Sequence, residues 1–305
     1  MALLFPWIGV IVLILLLLAL DLGIFNRIPH KISLREALRV SLTWVGCALL
    51  FNVFIFYQQG SGPALAFFTG YLLEKLLSLD NMFVFIMIFK FFPILPRHQH
   101  RILFWGVLAA IVFRLLLILI GLKLVETFDW ILYAFGVLLL YSSYKIYREK
   151  DQPPTMEANS LFLWAKTWLP LKENYKGRRF FLQINGKWFI TPSFLVLFII
   201  EVSDIVFAID SIPAIFAITL DPFIVFTSNI FAILGLRSLY FLLAHLIPHF
   251  YYLQHALSAI LGFIGFKLIL HPFLDVSTEF SLGFILCVLT IAVLTSLWKN
   301  KNAKK

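Results

Sequence analysis

The sequence predicts an all-α membrane protein that crosses the bilayer about nine times, as a single domain over residues 1–305. Its composition is the first reason, because 61% of the residues are hydrophobic and only 13% are charged, a balance more apolar than that of soluble domains. The second reason is that the apolar residues occur in runs of about 20, the length that an α-helix needs to span a bilayer. The third is that two of these runs carry matching acidic motifs, which indicates an internal repeat.

Nine apolar segments are long enough to be spans. The first lacks the basic start and the small-residue cleavage site of a signal peptide, so we expect it to be retained as a helix. No organellar targeting segment precedes it, which favours a bacterial plasma (inner) membrane. The nine spans lie near 7–25, 37–57, 64–92, 102–123, 129–147, 192–219, 223–246, 252–271 and 280–298.

Basic residues set the predicted orientation, because cytoplasmic loops carry the excess of lysine and arginine. Most of the 25 lysines and arginines follow spans 1, 3 and 5 or lie at the end of the chain, whereas the loops on the opposite side hold Lys123 and several acids. We therefore expect an outside N-terminus and a cytoplasmic C-terminus. The net charge of +9 is spread between the spans, so a nucleic-acid partner is not expected.

Residues 148–191 form the one long polar insert, and it is strongly basic. We expect a cytoplasmic loop that lies on anionic lipid headgroups, with a docking site for a partner protein as the alternative. The two cysteines, Cys47 and Cys287, stand alone in apolar spans. They predict neither a disulfide framework nor a thiolate metal site.

Spans 3 and 6 contain acidic and polar residues where a bilayer disfavours them. A charged side chain at the bilayer centre costs about 2.5–3.5 kcal/mol or more, so such residues usually mark an ion path or a buried pair. These residues, which we predict to form a metal site, are Glu74, Asp80, Asn81, Glu201, Asp204, Asp210 and Ser211.

The two motifs align without gaps, and an arginine in span 4 matches one in span 7. Spans 3–5 therefore look like a copy of spans 6–8. Because each copy has three spans, the copies must have opposite orientations, a plan found in secondary transporters with the ion site between the copies. The matched pairs are Glu74 and Asp204, Asp80 and Asp210, Asn81 and Ser211, and Arg114 and Arg237.

Helical geometry places most of these residues on inward faces. At about 100° per residue, Asp80 and Asp210 would point away from the others on straight helices. Pro213 has no N–H to bond the carbonyl of residue 209, so we expect a break in span 6 that turns Asp210 inward. The residues that share a face are Glu74, Ser78 and Asn81 in span 3, and Glu201, Asp204, Ala208 and Ser211 in span 6.

Carboxylate, amide and hydroxyl oxygens suit Mn²⁺, Mg²⁺ or Ca²⁺ better than Cu⁺ or Zn²⁺. Five acids exceed the charge of one divalent ion. Arg114 and Arg237 would balance the surplus, or some acids carry protons, and exchange of metal against protons is compatible with either. The alternative is that the acids only form structural ion pairs, with Arg114, Arg237, Lys75 and Lys267 as partners.

Three motifs, at 74–81, 201–214 and 227–237, resemble those of the TerC family of integral membrane proteins, and the resemblance covers nearly the whole chain. It implies manganese efflux, a link to tellurite resistance in some members, and kinship with cation exporters built from paired three-helix repeats. The resemblance also implies that all seven acidic and polar positions given above act in the metal site.

Two functions follow from these observations. The first is a divalent metal cation exporter, with Mn²⁺ as the transported or bound ion. The second is a membrane interaction protein that assists metallation or assembly of exported proteins beside the translocation machinery. An enzyme is not expected, because the motifs offer acids without a nucleophile–base pair or a cofactor fingerprint. Transport by the purified protein alone would distinguish the two functions.

Overall fold

The computed structural model describes residues 4–23, 34–92, 94, 96–128, 130–149, 179–184, 186–246, 252–271, 273–274 and 276–302. These residues are helical apart from short connections and one β-hairpin, which confirms the predicted all-α membrane class. The helices are α1 (Leu4–Gly23), α2 (Leu34–Gln59), α3 (Ser61–Phe91), α4 (Pro96–Thr127), α5 (Ile131–Glu149), α6 (Pro192–Phe216), α7 (Pro222–Ile233), α8 (Leu236–Leu246), α9 (Leu253–Leu270) and α10 (Thr278–Asn302). The strands are β1 (Phe181–Ile184) and β2 (Lys187–Ile190).

Five of the described helices are long and apolar enough to cross a membrane: α2, α4 from Arg101 onward, α6, α9 and α10. The bent pair α7 and α8 makes a sixth if it counts as one span, and α1 adds a shorter apolar stretch, Trp7–Leu17. Helix α3 has 31 residues but carries Glu74 and Lys75 near its middle. A multi-pass membrane protein is therefore established, whereas the count of nine spans stays a prediction.

Helices α6 and α7 begin at Pro-containing caps that the sequence specifies. Pro192 and Pro222 occupy the first turns, where a missing N–H costs nothing. The Thr191 hydroxyl accepts a bond from the Phe194 N–H at 3.4 Å. Asp221 Oδ1 accepts the Phe223 N–H at 2.8 Å and a longer bond from the next residue. Such caps fix where each helix starts, and so which α6 residues face inward.

The predicted break beside Asp210 does not occur, because α6 runs without interruption from Pro192 to Phe216. Pro213 does remove one backbone hydrogen bond, but it stands in the last turn, where few bonds remain to be lost. Asp210 therefore keeps the direction that a straight helix gives it. Helix α3 is likewise continuous.

The break in this half of the chain lies instead between α7 and α8, which meet at an angle of 46°. Gly235 has a φ of +82° there, a conformation that glycine adopts without cost. The buried Trp44 ring fills the space where a side chain at Gly235 would stand. Lys75 Nζ donates to the freed carbonyl of Leu234 at 3.2 Å. This break sets the position of Arg237 at the start of α8.

Gly235→Ala should lower the melting temperature in detergent for two reasons. The positive φ costs a non-glycine residue roughly 1–2 kcal/mol, and the new Cβ would lie 2.7 Å from two carbons of Trp44. Gly186→Ala is the matched control, because Gly186 also has a positive φ, of 75°, but open space around it. Equal melting temperatures for the two variants would show that the packing of Trp44 against the break does not matter.

The helix contacts follow a pattern that the predicted repeat would produce, while the repeat itself stays a prediction. Helix α3 packs on α6 and α7, while α6 packs on α3 and α4, and α5 packs along α9. Two three-span copies related by a two-fold axis would give this pattern, with α3, α4 and α5 in one copy and α6, α7–α8 and α9 in the other. The opposite orientation of the two copies stays a prediction.

The insert at 148–191 ends in a β-hairpin that the sequence interpretation missed. Strands β1 and β2 pair antiparallel, with Phe181 opposite Ile190, directly before α6. Trp188 and Phe181 are largely exposed on it, and the Arg101 guanidinium lies 4.6 Å from the Phe180 ring centroid. The rest of the insert, 150–178, lies outside the described residues, so its predicted roles are untested.

Candidate functional site

The structure brings several of the predicted site residues together in a buried polar cluster between α3, α4, α6 and α7. Glu74, Asn81, Arg114, Asp204 and Ser211 are all at least nine-tenths buried. Helical spacing predicts inward faces for Glu74, Asn81, Asp204 and Ser211, and the structure agrees with that part of the prediction. The side chain of Asp80 lies outside the described residues.

Arg114 stands at the centre of this cluster. Its Nη1 donates to Glu74 Oε1 in a very short contact, to Ser211 Oγ at 2.8 Å and to Asn229 Oδ1 at 3.2 Å. The guanidinium, which is 2% exposed, thereby joins α4 to α3, α6 and α7. The pair of Arg114 and Glu74 has no net charge and is hydrogen-bonded. Charged side chains need both properties to be buried at a tolerable free-energy cost.

Asn229 is a member of the cluster that the sequence interpretation did not select. It is fully buried in α7, and its amide Nδ2 donates to the Val225 carbonyl at 2.8 Å, which turns Oδ1 toward Arg114. The signal was present in the sequence, since Thr227, Ser228 and Asn229 are consecutive polar residues inside an apolar helix.

Asp204 is held less closely than Glu74. Its Oδ1 accepts from Asn81 Nδ2 at 2.9 Å, while its Oδ2 lies 3.7 Å from Arg114 Nη2. The second distance is an ion pair but is too long for a hydrogen bond. Asp204 Oδ2 therefore keeps lone pairs available.

Glu201, one helical turn before Asp204, is the most poorly satisfied acid of the site. Its side chain is buried, and neither carboxylate oxygen has a hydrogen-bond partner among the described residues. The same is true of Asn81 Oδ1. Buried polar atoms without partners are rare and costly, so these three oxygens indicate that something else satisfies them.

Glu201 and Asp204 line a small cavity of about 20 Å³ between α3, α4, α6 and α8. That volume accommodates one particle of the size of water. Arg237 is its third charged lining residue, and the remainder is apolar apart from Gly106. A Cβ on Gly106 would lie 3.2 Å from Glu201 Oε1, so the absence of a side chain leaves room for the carboxylate.

Asp210 lies outside this cluster, on the side of α6 that faces α5. Its Oδ1 accepts a hydrogen bond from Ser142 Oγ at 2.8 Å. Lys145, which lies on α5 with Ser142, attracts the negative charge of Asp210. The inward orientation predicted from a break at Pro213 was therefore wrong. The straight-helix geometry, which points Asp210 away from Glu201 and Asp204, is the one that the structure adopts.

The two lysines considered as structural partners make their described hydrogen bonds elsewhere. Lys75 caps the break at Leu234, and Lys267 Nζ donates to Ser281 Oγ at 3.0 Å, between α9 and α10. Cys47 and Cys287 are both free thiols.

The arrangement offers oxygen ligands but is not closed around a metal. Within the described ranges, no three His, Cys, Asp or Glu side chains converge on one point, because the Arg114 guanidinium stands between Glu74 and Asp204. Two carboxylates nevertheless border one cavity, and the Asn81 amide is bonded to one of them. Hard divalent cations prefer such oxygen ligands. The structure thus divides the predicted acids whose side chains it describes into three sets. Glu74 is paired with Arg114, Glu201 and Asp204 border the cavity, and Asp210 lies apart beside Ser142.

Comparison with known proteins gives consistent matches along the chain. The model of the integral membrane protein TerC family matches residues 59–304. An uncharacterized membrane protein, STKORF319, of Myxococcus xanthus is 43% identical over 97% of this chain and 93% of its own length. The "Putative membrane-bound redox modulator Alx" of Salmonella typhi is 40% identical over 98% of this chain and 96% of its own. No solved structure matches the chain significantly. The matched range includes both acidic motifs, Arg114 and the cavity.

Proposed function

The chain belongs to the TerC family of integral membrane proteins, and on this premise we propose that it exports a divalent metal cation, Mn²⁺ in the first instance. The proposed cation site is the cavity bordered by Glu201 and Asp204, with Asn81 bonded to Asp204. Arg237, which lines the same cavity, contributes charge balance. The choice of Mn²⁺ over Mg²⁺ and Ca²⁺ rests on the family resemblance, since all three favour oxygen ligands.

The observation that carries this proposal is the unsatisfied carboxylate of Glu201. A buried carboxylate whose only role is to stabilise the fold is expected to have a cationic hydrogen-bond partner, as Glu74 has in Arg114. The Glu201 side chain is also buried, at 9% exposed against 3% for Glu74, yet both of its oxygens lack partners within the described part of the chain. Burial of an unpaired charge is expensive, whereas a cation in the cavity would be bound by Glu201 and Asp204 together.

The position of the cavity supports transport rather than static binding. It lies where α3 and α4 meet α6 and α8, that is, between the two groups of helices that the predicted repeat treats as copies. Transporters built from inverted repeats hold their ions at this interface and alternate access by moving one copy against the other. We propose the same plan here, with an outside N-terminus, a cytoplasmic C-terminus and location in the plasma membrane.

Uptake of Mn²⁺ by proteoliposomes tests the proposal. The purified full-length protein, reconstituted alone, should move Mn²⁺ down an imposed gradient faster than protein-free liposomes do. Competing Mg²⁺ and Ca²⁺ measure selectivity, and an imposed pH gradient measures proton coupling. If the protein binds Mn²⁺ but moves none, the membrane interaction protein that assists metallation becomes the better description. If it neither binds nor moves Mn²⁺, the cation site is refuted.

Gly106→Ala should weaken Mn²⁺ binding while the fold is retained. The new Cβ at 3.2 Å from Glu201 Oε1 requires the carboxylate to move by a few tenths of an ångström. Since a misplacement of about 1 Å can cost about 100-fold in a positioned site, we expect an affinity loss of about threefold to tenfold by calorimetry. Gly46→Ala in α2, where nothing lies within 4 Å, is the control, because both changes improve helix propensity equally. Equal affinities for the two variants would contradict the placement of Glu201.

A further inference from the structure

We propose that Arg114 is a built-in counter-cation of the site, which the transported ion displaces from Asp204 each time it binds. Arg114 shares its single positive charge between Glu74 and Asp204 before the ion arrives and pairs with Glu74 alone afterwards. This inference rests on the proposed function and adds a competitor to it: a positive charge that belongs to the chain and occupies part of the ion's site.

The contacts of Arg114 are asymmetric in the way that such a role requires. Nη1 makes three hydrogen bonds, to Glu74, Ser211 and Asn229. Nη2 reaches Asp204 only at 3.7 Å, and the buried Nε has no partner among the described residues. One end of the guanidinium is thus fixed and the other is loosely engaged. Loss of the Asp204 contact would leave the hydrogen bonds of Nη1 in place.

Asp204 is the acid that both cations need. Its Oδ1 is used by Asn81, so Oδ2 is the oxygen shared between Arg114 and an ion in the cavity. A divalent ion bound there would repel the guanidinium at close range, in surroundings that screen charge far less than water does. Binding of the ion therefore requires Arg114 to withdraw toward Glu74, on the other side of the cluster.

Competition of this kind has a use in an exporter. Two buried carboxylates facing one dication without competition would bind it tightly and release it slowly. A tethered arginine lowers the free energy of the ion-free site, because Asp204 never stands unpaired, and so assists release. It also explains why the acids do not converge on a single point in the structure: the centre of the cluster is held by a guanidinium.

Variants at Glu74 and Arg114 separate this role from a purely structural one. In Glu74→Gln, Arg114 loses its main partner and should turn to Asp204, so Mn²⁺ should bind more weakly. In the double variant Glu74→Gln/Arg114→Gln, the competitor is gone and the buried pair is removed as a unit, so Mn²⁺ should bind about tenfold more tightly than in the parent, or about 1.4 kcal/mol. Arg114→Lys keeps the charge beside Glu74 but loses the second nitrogen, and should bind more tightly by a smaller factor.

Calorimetric titration of MnCl₂ into each purified full-length protein gives the affinities, and melting curves identify variants that fail to fold. Tighter binding in the double variant, or in Arg114→Lys if the double variant does not fold, supports the inference. Equal or weaker binding in the folded variants overturns it. In that case either Glu74 is itself a ligand of the ion, or Arg114 only connects the helices and does not move when the ion binds. If the parent itself does not bind Mn²⁺, the proposed function fails, and the inference fails with it.

Discussion

Asp204→Asn should abolish Mn²⁺ transport without unfolding the protein. Asparagine has the shape of aspartate, and its carbonyl oxygen can still accept the 2.9 Å bond from Asn81. What it loses is the negative charge shared between Arg114 and the cavity. A neutral amide is a weaker ligand for a hard dication than a carboxylate, so we expect the affinity for Mn²⁺ to fall at least about 100-fold, or about 2.8 kcal/mol. Uptake into proteoliposomes should fall to the protein-free rate.

Asp221→Asn is the matched control for this change. Asp221 caps α7 at an exposed position, away from the cavity, and asparagine caps helices as well as aspartate does. The variant should transport Mn²⁺ at the parental rate. If Asp204→Asn also transports at that rate while equally well reconstituted, the cation does not pass Asp204 and the assigned site is wrong.

Arg114→Ala should cause the largest loss of stability of any single change considered. It leaves the buried Glu74 carboxylate without its cation and removes hydrogen bonds to Ser211 and Asn229. The expected cost is about 3–5 kcal/mol, seen as a much lower melting temperature in detergent. Added Mn²⁺ should restore part of the loss, because an ion that binds the folded state stabilises it.

The control for Arg114→Ala is Lys123→Ala, which also removes one basic partner of an ion pair on α4. Lys123 and Glu126 are 3.5 Å apart, but their side chains are 77% and 66% exposed. Exposed pairs contribute about 0–1 kcal/mol, so this variant should melt close to the parent. Similar melting temperatures for both variants would mean that the Arg114 cluster does not hold the helices together.

Sequence reasoning found the helical membrane class and the inward acids because both follow from regular geometry. Apolar runs of bilayer length have few folding options, and helical spacing put Glu74, Asn81 and Asp204 on the faces that do meet. The prediction that Arg114 offsets surplus acid follows from the cost of burying charge, and the structure places it directly on Glu74.

The predictions that were wrong or missing share a different cause. Each of them depended on which residues of other helices a given side chain contacts. Pro213 was assigned a break beside Asp210, but α6 tolerates proline in its last turn. The break lies instead between α7 and α8, at Gly235, where Trp44 leaves no room for a side chain. Ser142 as the partner of Asp210, and the role of Gly106, required knowledge of how α5 and α4 pack on α6. The spacing of residues along one helix contains no information on these contacts.

The pairing of Glu74 with Arg114 also bears on how the chain enters the membrane during synthesis. The two residues are 40 positions apart and lie on the consecutive helices α3 and α4, so they can meet before α6 and α7 have been made. Each alone would carry a full charge into the lipid, which insertion disfavours. Paired with each other, Glu74 and Arg114 would enter the lipid as a nearly neutral unit, with Ser211 and Asn229 completing the hydrogen bonds once the second half of the chain arrives.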